Sequence, residues 1–267
     1  MLRAGNDGIV PRVGYGLQDQ PSQLLAVLGQ TAVPETYELR VGQQRGTVVD
    51  LVNHEKLTCR SGTDQSLKLV GLACYLRDDE SWKNESGEEW SLERLLQEEL
   101  DRSVALDDSA ATNRLLGLTY ALRRRARSQR PRDGQYARAE AFLDEFHRHA
   151  LSLQNSDGSW HPRFFASRGE SRDTIESLRS TGHILHWLTI SLPDSRLQTA
   201  EILRAVNYLD NQLAGLVARW NTTSATPRKM DAVAHALGAL TTYDQRVFQP
   251  YDTRPQTTNS AAAAEKN

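Results

Sequence analysis

The chain has 267 residues, of which 39% are hydrophobic and 25% are charged, and its formal net charge is −2. These values are typical of a soluble globular protein and exclude collagen-like, fully disordered and membrane-embedded classes. The sequence contains no uncharged apolar run near the roughly 20 residues of a membrane-spanning helix, so we expect no transmembrane segment. The small net charge predicts no general attraction to nucleic acid. For the chain as written we expect a cytoplasmic protein.

Apolar residues recur at spacings of three and four through most of the chain, a pattern that predicts amphipathic helices and an all-α fold class. Strand-like alternation is nearly absent, and the segment from Tyr37 to Val41, with a turn at Gly42 to Gly46, is the one candidate strand. The predicted helices lie near Ser22–Leu28, Thr47–Leu57, Thr63–Leu76, Leu92–Asp101, Ala110–Arg125, Tyr136–Leu153, Thr174–Ser191, Leu197–Leu216 and Met230–Tyr243.

The two ends of the chain differ from its middle. We expect one helical domain over residues 1–250 and a disordered tail over residues 251–267. The tail has a Thr-Thr-Asn-Ser run, four alanines and almost no large apolar residues, so it cannot bury enough surface to offset its chain entropy. The chain also starts abruptly in a Gly-Asn-Asp-Gly segment, and an upstream start with an export signal would make the protein an exported one.

An internal repeat is visible in the apolar helices. The segments around Gly71, Gly117 and Gly238 align on the glycine, and a fourth segment fits the same frame with His186 in its place. Successive spacings are 46, 69 and 52 residues, each long enough for two helices and their loops. Helices of a different composition lie between these, which predicts two alternating helix types in two layers.

The segment from Gln154 to Trp160 has the pattern Gln-x-x-x-Gly-x-Trp, and its opening from Arg138 to Leu143 has a basic, a small and an aromatic residue before the leucine. Gly158 supplies backbone freedom after a helix end, and Trp160 supplies a large side chain that packs the loop on neighbouring helices. The motif resembles the repeat of squalene and terpenoid cyclases and of protein prenyltransferases. The resemblance implies a paired-helix α/α toroid, and about nine helices are too few for a complete ring.

The chain as a whole also resembles a group of uncharacterised bacterial proteins. The resemblance lies in segments of the type Val13-Gly-Tyr-Gly-Leu, Leu51-Val-Asn-His-Glu-Lys and Thr181-Gly-His-Ile-Leu. It implies no established activity.

The catalytic signatures of the cyclases and prenyltransferases are missing. The Asp-x-Asp-Asp string of the cyclases does not occur, and neither Cys59 nor Cys74 forms the Asp-x-Cys zinc motif of the prenyltransferases. Our first hypothesis is therefore a non-catalytic binding or scaffold domain. The alternative is an enzyme that acts on an isoprenoid or carbohydrate in the central cavity of the ring. Its candidate acid, base and polar groups are Asp157, Asp173, Glu176, His183 and His186.

Basic side chains recur at one position of the repeat. Lys68, Arg114, His183 and His235 each stand three residues before the small residue or its substitute. If the repeat helices form an inner ring, these side chains would converge on a polar pocket that binds a small anionic or hydroxyl-rich ligand. The opposing interpretation is that the glycines mark close helix packing while the basic residues face solvent.

We predict no cofactor and no metal. His183 and His186 lie three residues apart on one helix face, but no third ligand lies within sequence reach. The Arg run over residues 123–132 lacks interleaved aromatic residues, so it predicts a solvated surface and no nucleic-acid interface. The partner is unknown, and a protein and a small ligand are both open.

Overall fold

The structure is a computed structural model that describes residues 2–5, 8–14, 18–103, 105–106, 108–218 and 225–248. Nine α-helices account for most of these residues. Within those residues the helices are α1 (Gln23–Gln30), α2 (Val48–Leu57), α3 (Ser66–Tyr75), α4 (Leu92–Asp101), α5 (Ser109–Arg127), α6 (Gly134–Leu153), α7 (Thr174–Ser191), α8 (Ala200–Val217) and α9 (Pro227–Phe248). The nine predicted helices are confirmed, and α4 and α7 have the predicted bounds. The tail expected over residues 251–267 lies outside the described residues.

Three antiparallel hairpins accompany these helices in the described part of the chain. They are β1 (Leu2–Gly5) with β2 (Gly8–Pro11), β3 (Glu38–Val41) with β4 (Gln44–Thr47), and β5 (Ser81–Lys83) with β6 (Glu89–Ser91). The strand and turn predicted after Tyr37 are confirmed by β3 and β4. The other two hairpins correct the predicted all-α class to a mostly helical one. In β5 and β6 the buried Trp82 and Trp90 face each other, but three-residue strands are too short to show a period of two.

The helices pack in two layers that alternate along the chain. The odd-numbered helices form a row in which α1 contacts α3, α3 contacts α5, α5 contacts α7 and α7 contacts α9. We call these five helices the odd row. The even-numbered helices cover it, with α2 on α3, α4 on α3 and α5, α6 on α5, and α8 on α7 and α9. The arrangement agrees with the two helix types that the repeat predicts.

Two of the repeat glycines stand where helices of the odd row approach closely. A Cβ atom added at Gly71 would lie 2.9 Å from Cγ of Leu25 on α1. A Cβ atom at Gly117 would lie 2.8 Å from the carbonyl oxygen of Ser66 on α3. Glycine therefore permits interhelical contacts that any larger residue would push apart. This supports the interpretation of the glycines as close-packing positions.

The contact between α7 and α9 depends on a different glycine from the one in the repeat frame. A Cβ atom at Gly182 would lie 2.8 Å from the backbone nitrogen of Ala236 on α9. His186, the residue in the repeat frame, lies one turn further along α7. At Gly238 on α9, by contrast, a Cβ atom would meet nothing within 4 Å among the described residues.

The loop after α6 joins three helices. Trp160 is fully buried, and its Nε1 donates a hydrogen bond to the carbonyl oxygen of Ala150 at 2.7 Å. The backbone nitrogen of Trp160 donates to Oγ1 of Thr181 on α7 at 3.0 Å. Gln154 reaches α8, where its Nε2 donates to the carbonyl oxygen of Glu201 at 2.9 Å. The motif thus packs the loop on its neighbours, as the sequence predicts.

Gly158 is required in this loop for two reasons. Its φ angle is +94°, in the left-handed region that favours glycine. A Cβ atom at this position would lie 2.2 Å from the carbonyl oxygen of Arg204 on α8. The close approach of the loop to α8 therefore excludes every side chain at residue 158.

Candidate functional site

Lys68 lies between α3 and α2, away from the other three basic residues of the repeat. Its Nζ donates to Oγ1 of Thr58 at 2.9 Å and lies 3.5 Å from Oε2 of Glu55. Glu55 also accepts a hydrogen bond from Oγ of Ser22 at 2.6 Å. The side chains of Lys68 and Glu55 are only 6% and 5% exposed. The ammonium group therefore belongs to a buried ion pair that joins the two layers.

Arg114 points from α5 toward α4 and α6. Its guanidinium donates to the carbonyl oxygen of Leu100 at 3.2 Å and lies over the Phe142 ring, 4.7 Å from the ring centroid. Burial lowers the pKa of Arg114, and the nearby charge of Glu99 acts in the opposite direction. Like Lys68, Arg114 makes contacts between the layers. The structure does not bring these two side chains to a common pocket.

The structure does bring two of the four basic residues together. The rings of His183 on α7 and His235 on α9 stack with their centroids 3.5 Å apart. Nδ1 of His183 lies 3.4 Å from Oγ1 of Thr112 on α5, while its Nε2 is buried without a hydrogen-bond partner in the described residues. His186 lies close enough to this pair that the charge of His235 lowers its pKa. We call His183, His186 and His235 the histidine cluster.

Burial sets the charge of the histidine cluster. It lowers the pKa of His183 well below its usual 6.5 and that of His186 to about 4, and the charge of His235 lowers both further. Nε2 of His235 lies 3.3 Å from Oδ1 of Asp231, a contact that lowers the pKa of Asp231 to about 2. Arg179 donates from Nε to the other oxygen of Asp231 at 2.7 Å. At neutral pH His183 and His186 are therefore uncharged and offer no positive charge to an anionic ligand.

Asp173 and Glu176 join the start of α7 to the start of α9. Asp173 caps α7 by accepting a hydrogen bond from the backbone nitrogen of Glu176 at 3.2 Å. Arg228 on α9 donates to both carboxylates, at 2.6 Å in the case of Glu176. The hydrogen bond from Arg228 lowers the pKa of Asp173. These contacts keep Asp173 ionised, which is unfavourable for a general acid at neutral pH.

Asp157 stabilises its own turn in the loop after α6. Its Oδ1 accepts hydrogen bonds from the backbone nitrogen of Ser159 at 2.9 Å and from Oγ of Ser159 at 2.7 Å. Of the other candidate catalytic residues, Glu176, His183 and His186 lie on α7 and Asp173 is its N-cap, whereas Asp157 lies in the loop after α6. Within the part of the chain that the structure describes, no three His, Cys, Asp or Glu side chains are grouped to hold a metal ion.

A further group of polar side chains lies in a cleft of about 130 Å³ between α5 and α6, which we call the α5–α6 cleft. Asp144 and His147 line it from α6, Arg123 from α5, and Ser191, the last residue of α7, from a third helix. Nε2 of His147 lies 2.8 Å from Oγ of Ser191, and its Nδ1 lies 3.8 Å from Oδ1 of Asp144. A serine, a histidine and a carboxylate therefore follow one another across the cleft.

The environment of His147 fixes both its orientation and its charge. Its ring stacks on Trp187 with the centroids 4.9 Å apart and the planes at 17°. Burial lowers the pKa of His147, the carboxylate of Asp144 acts to raise it, and the guanidinium of Arg196 acts to lower it. The imidazole is therefore neutral at pH 7, the state in which one ring nitrogen can accept a proton.

Sequence reasoning missed this group. Asp144 and His147 stand three residues apart on a predicted helix, a spacing that places two side chains on one face. That spacing was the available signal. Ser191 is 44 residues from His147, and no motif of the sequence links the two. Their meeting depends on how α6 packs beside α7, which local pattern does not encode.

The two cysteines form no disulfide, and their thiols are unreactive at neutral pH. Cys59 is buried, and Cys74 is partly buried. Burial raises the pKa of both thiols to about 11. Neither is a thiolate at neutral pH, so neither is suited to nucleophilic or redox chemistry.

Comparisons with protein-family models, with curated proteins and with solved structures found no match. None of the helices in the described ranges is long and apolar enough to cross a membrane.

Proposed function

We propose that this chain is a binding or scaffold domain, built as an incomplete α/α toroid, that acts through a face of α9 on which no described helix packs. Two features support the toroid architecture: the alternation of two helix layers and the loop from Gln154 to Trp160 that fastens α6 to its neighbours. The observation that carries the proposed function is the open space at Gly238. A helix would fill that space in the way that helices fill the space at the other odd-row glycines.

The two faces of α9 differ in their contacts. The face toward α7 buries three alanines, at residues 232, 236 and 239, together with Tyr243. On the opposite face, Met230 and Leu237 are each 51% exposed and Phe248 is 68% exposed. Large apolar side chains at this spacing form a stripe along the helix beside Gly238. We call this stripe the α9 face.

We infer that the occupant of the α9 face is the same face of a second copy, packed antiparallel. Lys229 begins one flank of the stripe and Asp244 lies near its end on the same flank. In an antiparallel pair centred near Leu237, Lys229 of each copy lies beside Asp244 of the other. A two-fold interface must be complementary to itself in this way. The apolar stripe supplies the buried area and the two flanking pairs set the register.

The alternative, an enzyme acting on an isoprenoid or carbohydrate in a central cavity, has less support. Lys68 and Arg114 make contacts between the layers, and burial keeps His183 and His186 uncharged at neutral pH. The side chains expected to line a shared polar pocket thus make packing and hydrogen-bond contacts at three separate positions in the fold. A scaffold needs no such pocket.

Light scattering after size-exclusion chromatography, over a range of protein concentrations, tests the proposal. We expect the wild-type chain to be a dimer that dissociates on dilution. Leu237→Glu should be a monomer, because the buried carboxylates of two copies would face each other. Leu203→Glu is the matched control, since Leu203 is 42% exposed on α8 and lies outside the α9 face. A monomeric wild type at every concentration, or equal effects of both substitutions, would contradict the proposal.

Charge reversal tests the antiparallel register separately. Lys229→Glu and Asp244→Lys should each weaken the dimer, because each places like charges together at both ends of the interface. The double variant should recover most of the loss. If the loss of dimerisation free energy in the double variant equals the sum of the losses in the two single variants, these residues do not face each other.

A further inference from the structure

In the α5–α6 cleft a serine hydroxyl contacts an imidazole, and the imidazole in turn lies near a carboxylate. We propose that it is a catalytic site that hydrolyses esters of short acyl groups, with Ser191 as the nucleophile and His147 as the general base. This activity goes beyond the scaffold function and uses none of its residues. Nε2 of His147 and Oγ of Ser191 are in contact at 2.8 Å in the wall of the cleft, the arrangement that activates a serine.

Each of the two reacting groups is in the form that the chemistry needs. A serine hydroxyl is a weak nucleophile until a neighbouring base accepts its proton. Nε2 of His147 is within hydrogen-bond distance of that hydroxyl, and the stacking on Trp187 holds the ring in place. With the ring proton on Nδ1, its N–H points toward the carboxylate of Asp144. Asp144 is 72% exposed and 3.8 Å away, so it is a positioning residue of modest strength.

Arg123 supplies hydrogen-bond donors next to the nucleophile. Its Nη1 donates to the carbonyl oxygen of Ile190, the residue before Ser191, at 3.3 Å. A guanidinium has five N–H donors in a fixed fork, so one such bond leaves donors for a second acceptor. Arg123 also lines the cleft. It is therefore placed to stabilise negative charge on the carbonyl oxygen of an ester attacked by Ser191.

The size of the cleft limits the acyl group. Sites for drug-sized ligands have volumes of roughly 300 Å³ or more. The α5–α6 cleft has about 130 Å³, which suits an acetyl or propionyl group and excludes a fatty acyl chain. Leu122 and Leu143 in its wall provide apolar contacts for the acyl methyl group.

The reaction is a balanced hydrolysis in two steps. Oγ of Ser191 forms a bond to the carbonyl carbon while its proton passes to Nε2 of His147, and the proton then goes to the alcohol oxygen as the ester bond breaks. Water next attacks the acylated serine and gives its proton to His147. Collapse of that intermediate releases the carboxylic acid and returns the proton to Ser191. One ester and one water give one acid and one alcohol, with no oxidant or reductant.

Hydrolysis of 4-nitrophenyl acetate by the full chain is the first measurement. We expect turnover of the acetate ester and little turnover of the decanoate ester. Ser191→Ala and His147→Gln should each lower kcat/KM about a hundredfold or more. Ser152→Ala, an exposed serine on α6, is the matched control and should have wild-type activity. Turnover per chain should also be the same at protein concentrations where the chain is a monomer and where it is a dimer, which separates this proposal from the dimer.

Covalent labelling of the wild-type chain avoids any dependence on folding of the variants. A fluorophosphonate reacts with activated serines, and peptide mapping by mass spectrometry identifies the labelled residue. We expect the label on Ser191 and its loss in His147→Gln. Labelling elsewhere, no labelling, or unchanged ester turnover in Ser191→Ala would overturn the proposal.

The pH profile tests the role of Asp144. The charged and titratable groups around His147 are Asp144 and Glu140 on its own helix and Arg196 after α7, while Arg123 and Arg132 also line the cleft. Ser191 on α7 contributes its hydroxyl. Because only the neutral imidazole is a base and burial lowers the pKa of His147, kcat/KM should be level at neutral pH and fall in acid, with a midpoint below 6.5. Asp144→Asn removes the charge that raises the pKa of His147, so the fall should move to lower pH. A structural role alone would leave the inflection unchanged, a result that would refute the assignment of Asp144.

Discussion

At the scale of single residues, burial of imidazoles makes the stability of this protein depend on pH. His186 has a folded-state pKa of about 4 because burial disfavours its charged form. An imidazole in an unfolded chain titrates near 6.5, so between these values the unfolded chain binds the proton first. The stabilisation is fully present above pH 6.5 and is lost as the pH falls toward 4. His183 acts in the same direction.

Urea unfolding at several pH values measures this effect. A pKa difference of this size corresponds to about 3 kcal/mol, so we expect the free energy of unfolding to fall by about that amount between pH 7 and pH 4 through His186. His186→Asn should show a shallower fall, because the group that titrates is gone. Leu203→Asn, at an exposed position on α8 that carries no titrating group, is the control and should have the slope of the wild type. Equal slopes in all three proteins would refute the assignment to His186.

The candidate residues show how far sequence can locate a site. Four basic residues at one repeat position predict a shared direction, but helix position alone does not say which neighbour a side chain meets. Lys68 meets an acid on α2, whereas His183 meets another histidine on α9. For the group at Ser191 the sequence offers only the three-residue spacing of Asp144 and His147, because Ser191 comes from a separate helix. The contacts that sequence does not predict are therefore those set by how the helices pack on one another.

At the scale of elements, glycine decides how closely α7 and α9 approach. Gly182→Ala places a Cβ atom 2.8 Å from a backbone atom of α9, and backbone cannot move aside as a flexible side chain can. We expect a loss of about 1–3 kcal/mol in urea unfolding. Gly238→Ala has open space, so at concentrations where the chain is monomeric it should gain up to about 1 kcal/mol from helix propensity. Equal losses in both variants would contradict this account of the contact.

The elements differ in how well sequence predicts them. The helices were predictable from apolar faces that repeat over several turns, as in Ala200–Val217, where Ile202, Ala205, Leu209 and Leu213 are buried. The hairpin of Ser81–Lys83 and Glu89–Ser91 was not, because each strand is three residues long. Its fold depends on the pairing of Trp82 with Trp90, a contact across a turn. Such pairing becomes visible only when both strands are placed together.

At the scale of the whole molecule, the odd row is a linear array. Its strongest contacts run between successive members, from α1 through α5 to α9. Arrays of this kind have stabilities that depend on each unit and on its neighbours, so damage at one end spreads weakly to the other. The tight contact of α7 with α9 and the contact of α1 with α3 should therefore respond independently.

Amide hydrogen exchange by mass spectrometry tests this independence. In Gly182→Ala we expect faster exchange in α7, α8 and α9 and little change in α1 and α3. Gly71→Ala, which disturbs the contact with α1, should give the reverse pattern. Uniform acceleration in every helix by either substitution would show that the molecule opens as one cooperative unit.

The absence of space at Gly158 has a consequence for the descent of this sequence. A Cβ atom at residue 158 would lie only 2.2 Å from the carbonyl oxygen of Arg204. Every amino-acid substitution at this residue would therefore force the loop away from α8. Surface residues around it are free to drift over generations, while this residue is not. A search for distant descendants should therefore weight a glycine between a glutamine and a tryptophan above overall identity. Such a fingerprint would persist after the rest of the chain had diverged beyond recognition.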